Sequence, residues 1–368
     1  MKVRIEQKEL ADAAKRAHRR LPSNPPVPIM AGLVIEATDV GAVTLSGFDY
    51  ETSTRGTLDA TVLEPGKVVV SGRMLADVAA ALPPGPVDLV ADEHHLDVTS
   101  PGNQFQLPLM PDGDYPNLPE APAESGTVDG VLFATASVHA AAVAMPQKDA
   151  VGRFEAFGGT HVQAVGNRLR VRASDSYRMV EHTMPWTGTE GSLLIPAPDL
   201  AATAKALAGG EVAIGFPSAG NGVAALSNKQ VAVTGRCIAT EFPNIDRFFP
   251  KKDEAVGVAT FDAADLVAAV KRAALVNEED VKPIRIAFDG RGATVSGGTG
   301  GPSGRSHIDV EQEGLDGFEI AYRPGYLTSL IAPIEGAVRL WFSTPTKPAL
   351  VEPVDDDTYR AVLMPVRV

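Results

Sequence analysis

The chain has one cysteine in 368 residues, Cys237. A lone thiol excludes an intramolecular disulfide and any multi-cysteine zinc site, and it fits a reducing cytosol. With no neighbouring base, Cys237 reads as a small core residue. No apolar run reaches the roughly 18 residues that a membrane-spanning helix needs. The first ten residues, MKVRIEQKEL, lack the apolar stretch of a signal peptide. Cations are in deficit, 33 Lys and Arg against 46 Asp and Glu, for a formal charge of −13. That argues against tight non-specific nucleic-acid binding, which draws on a basic surplus. It leaves open a chain that gathers its cations on one surface and its anions elsewhere.

Reaction chemistry is also missing. No Gly-rich loop ends in Lys-Ser or Lys-Thr, so there is no nucleotide cradle of that kind. The glycines of GGTGGPSGR at 297–305 read as a hairpin. DEHHLD at 92–97 offers His94 and His95, but adjacent strand residues face opposite ways, and a surface turn is the simpler reading. No cofactor and no metal is expected.

What the sequence does contain is a weak internal repeat. KELADAAKRAHRRL around Leu10, ATASVHAAAVAM around Val138 and DAADLVAAVKRAAL around Leu266 are Ala-rich helical segments at an offset of 128. A second helix recurs as GRMLADVAAALP with Leu75, PDLAATAKALAGG with Leu200 and GYLTSLIAPIEG with Leu327, each stopping at Gly or Pro. Between them KVVVSG, VTLSGFDYETSTR, LRVRASDSYRMVEHT and AVRLWFS read as strands. Asp49 in LSGFDYETS and Asp175 in RASDSYRMV occupy equivalent points, as structural turn residues rather than a catalytic pair. The expectation is an α+β chain of three repeated domains, 1–122, 127–249 and 254–368, each with two helices packed on antiparallel sheets. The polar linkers APAESGT and PKKDEA separate them.

Three such units closing on MPVRV resemble the bacterial processivity clamp, the beta subunit of DNA polymerase III. The resemblance spans the chain. PVPIMAGLVIEA, LSGFDYE, MPDGDYPNLPE, RASDSYR, EFPNIDR, PTKPAL and LMPVRV occur in family order. It implies a head-to-tail homodimeric ring that encircles double-stranded DNA without reading its sequence. It implies no catalysis, a cytoplasmic, nucleoid-associated location and no membrane contact.

By the resemblance, the helices lining the hole would carry DNA-facing cations. These are Lys15, Arg16, Arg19 and Arg20 on the first helix and Lys271 and Arg272 on the fifth, with Arg73, Lys148, Arg153 and Lys205 in or beside the others. Asn24 stands where clamps often carry a basic residue. A pocket would take short peptides from the replicative polymerase, the clamp loader and repair proteins. Its matching positions are Phe157, Ser174, Ser176, Tyr177, Arg178 and Met179, then Pro243, Arg247 and Phe248. Arg323, Tyr326, Thr346 and Pro348 follow, and the C-terminal run Val362, Leu363, Met364, Pro365, Val366 and Arg367 completes it. Dimer contact would pair Phe105 and Leu107 with Leu275 of another subunit.

Phe157, Ser176 and Arg323 depart from the family's usual Leu, Gly or Arg, and Asn. They suggest a specialised second clamp whose pocket resists a small-molecule or cyclic-peptide inhibitor. The family spacing is unsafe across 278–283. Two other classes remain: a repeat scaffold that binds only proteins, and a hydrolase with an unseen site. Dependence of binding on DNA topology discriminates them.

Overall fold

A computed structural model describes residues 1–367 except 23, 24, 26, 40, 219–221, 278–281 and 299–301. Asn24, part of the 278–283 loop and the tip of 297–305 therefore lie outside the described residues. By compactness the chain divides into two units, Met1–Gly130 with Ala206–Cys237, and Val131–Lys205 with Ile238–Val368. The described helices of five residues or more that are α-helical are α1 (Gln7–His18), α2 (Gly72–Ala81), α3 (Gly130–Val143), α4 (Ala197–Leu207), α5 (Ala263–Ala274) and α6 (Pro324–Ile331). None is long and apolar enough to cross a membrane.

In the first unit α1 packs on α2. Leu10, Ala13, Ala14 and Ala17 form the buried stripe of α1, and the alanines let the helices approach closely. Ser71 caps α2, its Oγ accepting from the Met74 amide at 3.4 Å. Beneath them an antiparallel sheet runs in the order 60–64, 2–6, 86–91, 95–100, 103–110, 66–71, 32–37, 43–48 and 52–58. It continues through 231–236, 223–227, 211–215 and 126–129. Strand 52–58 is tied to 231–236 by a buried hydrogen bond between Ser53 Oγ and Thr234 Oγ1 at 2.7 Å. A small second cluster gathers Ile29, Met30, Val34, Phe48, Val69 and Tyr115. Burial pushes the Tyr115 phenol up to about 12.

The second unit has two antiparallel sheets. The larger runs 191–196, 159–165, 168–174, 178–185, 359–363, 349–353, 337–342, 257–262 and 311–313. The smaller runs 304–308, 292–297, 284–289 and 319–322, with α5 packed against it and against α6. Strand 292–297 pairs with 304–308, so the Gly-rich segment does join two hairpin strands.

The repeat is real, but its register differs from the sequence expectation. Leu75, Leu200 and Leu327 are each the fourth residue of α2, α4 and α6, and all are fully buried. The other series fails at its middle member. α1, α3 and α5 begin at Gln7, Gly130 and Ala263, so the offsets are 123 and 133 rather than 128 twice. Leu10 and Leu266 are fourth residues, and their counterpart is Phe133, also fully buried, not the half-buried Val138. An Ala-rich helix offers several equivalent registers, and only burial chooses between them.

The turns after Asp49 and Asp175 are the same device. Asp49 Oδ1 accepts the amides of Glu51 and Thr52 at 2.9 and 2.6 Å. Asp175 Oδ1 accepts those of Tyr177 and Arg178 at 2.9 and 2.7 Å. The residue following each aspartate is left-handed, Tyr50 at φ 73° and Ser176 at φ 74°. That conformation is costly for a residue with a Cβ, and the two side-chain hydrogen bonds hold it. It explains why glycine is at home where Ser176 stands.

Two further expectations are corrected. Cys237 is half-buried rather than a core residue, because it follows the last residue of strand 231–236 as the chain leaves the sheet. Leu107 is 3% exposed and packs in the core of the first unit, so its side chain is not available to a second subunit. Phe105, two residues earlier on the same strand, stands past the core edge at 39% exposure.

Candidate functional site

The second unit brings most of the predicted peptide-site residues to one place, and the pairing of strands 178–185 and 359–363 is the reason. Arg178 opposes Leu363 and Met179 opposes Val362. The chain then leaves the strand as an extended tail. The Met364 amide donates to the Tyr177 carbonyl at 2.9 Å, and the Val366 amide donates to the Ala321 carbonyl at 2.8 Å. The Asp175 turn, the start of α6 and the C-terminal tail thus share one wall.

Arg178 is the keystone of that wall. Its Nε and Nη2 donate to Asp175 Oδ2 at 3.0 and 2.8 Å, its Nη1 donates to Ser329 Oγ at 2.6 Å, and its guanidinium lies 4.3 Å from the Tyr326 ring centre. It is buried and neutralised, so its work is to set α6 and the turn in position. Ser174 and Val362 are buried too, Ser174 Oγ donating to the Arg178 carbonyl at 2.9 Å. Leu363 is fully buried. These three support the wall from behind and do not present a contact surface.

The surface itself is aromatic and apolar. Tyr177 is 51% exposed, Phe248 47% and Met364 39%, together in one region of the second unit. Tyr177 and Tyr326 lie 6.0 Å apart between ring centres. Behind them Ile245, Phe249, Leu350 and Val362 form a small core on which Met179, Phe242 and Trp341 pack. Phe157 reaches this core through Phe242, 6.4 Å away, and His161 stacks on the same ring at 5.0 Å. Ser176, Pro365, Val366 and Arg367 continue the rim, and Pro243 is half-buried at its margin. Arg247 lies 4.7 Å over the Phe248 ring. Thr346 sits in the exposed turn before strand 349–353 with its Oγ1 3.3 Å from Thr344 Oγ1, and Pro348 follows it half-buried.

Sequence reading missed the residues that anchor the 241–249 segment. Arg172 and Glu181, both 4% exposed, form an ion pair across strands 168–174 and 178–185. Arg172 Nη2 also donates to Asp246 Oδ1 at 2.8 Å, and Arg360 Nε donates to the second Glu181 oxygen at 2.7 Å. Asp246 is thereby fixed beside Arg247 and Phe248. A cross-strand Arg–Glu pair leaves no spacing signal in one sequence, since its partners are nine residues apart across a turn. The aromatic density of EFPNIDRFFP was the available clue to Phe242 and Phe249.

The proposed DNA-facing cations fall into two groups. Lys15, Arg19, Arg73, Lys148, Arg153, Lys205, Lys271 and Arg272 are exposed, while Arg16 and Arg20 are half-buried. Arg73 pairs with Asp77 at 3.6 Å, Arg272 donates to Ser306 Oγ from Nη2 at 2.9 Å, and Arg153 lies 4.8 Å over Phe154. α3 has no charged residue at all, so the positive surface belongs chiefly to α1 and α5. In the 92–97 segment, Asp92 Oδ1 accepts the amides of His94 and His95, both at 2.7 Å, which makes this a surface turn. Among the described residues, no group of three or more His, Cys, Asp or Glu side chains is placed to hold a metal.

The second unit thus presents Tyr177, Phe248 and Met364 beside the paired strands 178–185 and 359–363. Residues 1–119 match the family described as DNA polymerase III beta subunit, N-terminal domain, and residues 246–367 match its C-terminal domain. The beta sliding clamp of Streptomyces coelicolor is 34% identical over 383 residues, covering 100% of this chain and 99% of its own. The beta sliding clamp homolog GriR of Streptomyces muensis is 32% identical, with 100% and 99% covered. A crystal structure of a DnaN sliding clamp from Pseudomonas aeruginosa bound to griselimycin shares the fold at a TM-score of 0.90 and 21% identity, each chain covered fully. The chain belongs to the beta sliding clamp family, the beta subunit of DNA polymerase III. Its function is that of a DNA sliding clamp, a processivity factor without catalytic activity of its own.

Proposed function

We propose that the chain acts as a ring-shaped, head-to-tail homodimer of three-domain subunits (1–122, 127–249 and 254–368) that encircles double-stranded DNA in the cytoplasm. The matches to an N-terminal domain over 1–119 and a C-terminal domain over 246–367 support the outer two boundaries. The observation that carries the dimer is a pair of open sheet edges. Among the described residues, 103–108 pair with strand 95–100 on one side only, and strand 304–308 ends the smaller sheet of the second unit. Unpaired strand edges are hazards that a soluble protein covers, and a closed ring covers both kinds at once. Phe105 at 39% and Leu275 at 83% exposure supply apolar contact beside them.

Both side chains are exposed, so charging them costs the fold little. Phe105→Asp and Leu275→Asp should each weaken the dimer at least about 100-fold while the far-ultraviolet circular dichroism of the folded subunit stays unchanged, because a charge is desolvated at an apolar contact. Sedimentation equilibrium reads this. Unaltered dimer affinity in both variants contradicts the edge pairing.

The wall built from Tyr177, Tyr326, Phe248 and Met364 is then the docking site for short extended peptides of the replicative polymerase, the clamp loader and repair proteins. An open backbone tail and apolar sockets suit an extended ligand. The exposed cations of α1 and α5 hold duplex phosphates loosely and without sequence preference. A second, narrower reading is that this is an inhibitor-tolerant clamp copy. The likeness to a beta sliding clamp homolog, GriR, supports a further clamp copy, and the departures Phe157, Ser176 and Arg323 at the peptide wall support the altered pocket. A griselimycin affinity equal to that of an ordinary clamp would remove this narrower reading.

A further inference from the structure

Among the described residues, Arg323 is a guanidinium of the peptide wall that is held by two aromatic rings and has no counter-charge. It stands immediately before α6 and is half-buried. Its guanidinium carbon lies 5.3 Å from the ring centre of Tyr177 and 5.2 Å from that of Tyr326. Nη1 donates to the Tyr326 hydroxyl at 3.2 Å. Two aromatic faces and one hydrogen bond therefore hold the planar group in a fixed attitude, which reduces the entropy lost when a ligand binds it.

The contrast with Arg178 is instructive. Arg178 leans on the same Tyr326 ring but is neutralised by Asp175 at 2.8 Å. Among the described residues Arg323 has no carboxylate within ion-pair distance, and its hydrogen bond to the Tyr326 hydroxyl occupies one of its five N–H groups. Arg247, over Phe248, likewise shows no carboxylate partner among the described residues. The carboxylate next to it in sequence, Asp246, is committed to Arg172. In a chain of net charge −13, two unneutralised arginines beside one exposed aromatic wall make a local inversion of sign. The cation is partly desolvated and pre-aimed, and an anionic ligand group gains charge-assisted hydrogen bonds there that a neutral amide does not.

We propose that Arg323 is a specificity-determining residue of the peptide site, selecting extended apolar segments that carry an Asp or Glu side chain beside their apolar anchors. This rests on the peptide-docking reading above. The partner is thus defined by chemistry: apolar side chains that cover Tyr177 and Met364, and a carboxylate that meets Arg323.

The test is a pair of measurements on the full-length protein. Fluorescein-labelled octapeptides containing a Leu and a Phe anchor, with each remaining position set in turn to Asp or Asn, are titrated by fluorescence anisotropy. For at least one position the Asp peptide should bind about tenfold more tightly than its Asn counterpart, and the ratio should shrink as salt rises. In Arg323→Asn the ratio of Asp to Asn affinities should fall to about one, whatever the shift in absolute affinity. Arg323→Lys should restore only part of it, because an ammonium lacks the planar fork. Melting temperatures of both variants confirm that the wall is intact. Peptides that bind with equal Asp and Asn affinities, or a preference that survives Arg323→Asn, overturn the inference while leaving the docking site standing. Absence of binding by every peptide overturns the docking site and the inference together.

Discussion

Replacing Glu181 by Gln should cost the second unit about 3 kcal/mol of stability. The change keeps the side-chain shape and removes one charge. The glutamine amide keeps one oxygen, so either Arg172, at 4% exposure, or Arg360 would face an NH2 donor in place of a carboxylate oxygen, and only Asp246 would remain as a counter-charge for both. Removing one partner of a buried pair leaves a desolvated charge and costs about 3–5 kcal/mol. The surviving contact to Asp246, which is 46% exposed at its side chain, places the value at the lower end. For a unit of this size the melting transition should drop by roughly 6–12 °C. Pairing Glu181→Gln with Arg172→Met should recover part of the loss, because the buried charge then disappears along with its partner. The readout is thermal unfolding of the single and double variants. An unchanged transition in Glu181→Gln contradicts the network. Since Asp246 fixes the segment that carries Arg247 and Phe248, peptide affinity should fall in the single variant as well.

Mild acid should destabilise the same unit. His182 is buried against His139, with Nδ1 of His139 3.2 Å from Nε2 of His182, and Tyr359 packs on the His182 ring at 4.7 Å. Burial and the facing imidazole lower His182 to about 3, with Asp356 opposing them. Burial lowers His139 as well. His161, between Phe242 and the Arg172 charge, is lowered to about 4, chiefly by burial. A histidine lowered on folding binds its proton more readily in the unfolded chain. Stability is therefore complete above the unfolded value near 6.5 and falls as the pH drops toward the folded values. For His182 the slope is about 1.4 kcal/mol per pH unit, so roughly 2 kcal/mol is lost between pH 6.5 and 5. Denaturant titrations at pH 7.5 and 5 measure it, and His182→Gln should flatten the dependence. A profile that is flat in the unaltered protein over that range contradicts the buried pair.

How far the sequence reading reached depended on whether a feature is local. The helices α2, α4 and α6 were legible because Leu75, Leu200 and Leu327 recur among small residues, and each finds the core. The Ala-rich α3 was misregistered by five residues because alanine marks no face. The Asp49 and Asp175 turns were legible from short-range chemistry, as an Asx side chain bonding its own backbone must. Phe105 and Leu107 looked alike because alternate strand residues share a face, and only the sheet's extent separates the buried one from the exposed one. In the peptide wall, the positions carried by the family resemblance fell together where the strand pair 178–185 and 359–363 brings them. The resemblance did not separate presenting residues such as Tyr177 from supporting ones such as Ser174 and Leu363. The Arg172–Glu181–Asp246 network joins residues up to 74 positions apart, and no pattern within one chain announces it.

Net charge, too, misleads when taken as a sum. A chain at −13 can still handle DNA if contact is loose and cations are confined to α1, α5 and their neighbours. Such a surface gives weak, salt-sensitive attraction and cannot by itself account for long residence on a template.

The most direct measurement is therefore of residence on DNA of different topology. Labelled protein is loaded with a clamp loader onto a nicked circular plasmid, and its retention is followed before and after a single restriction cut. Threading predicts retention through a high-salt wash on the circle and prompt loss from the free ends once the plasmid is linear. Equal residence on circular and linear DNA, or release from the circle by salt alone, would show that the chain adheres to the duplex instead of surrounding it.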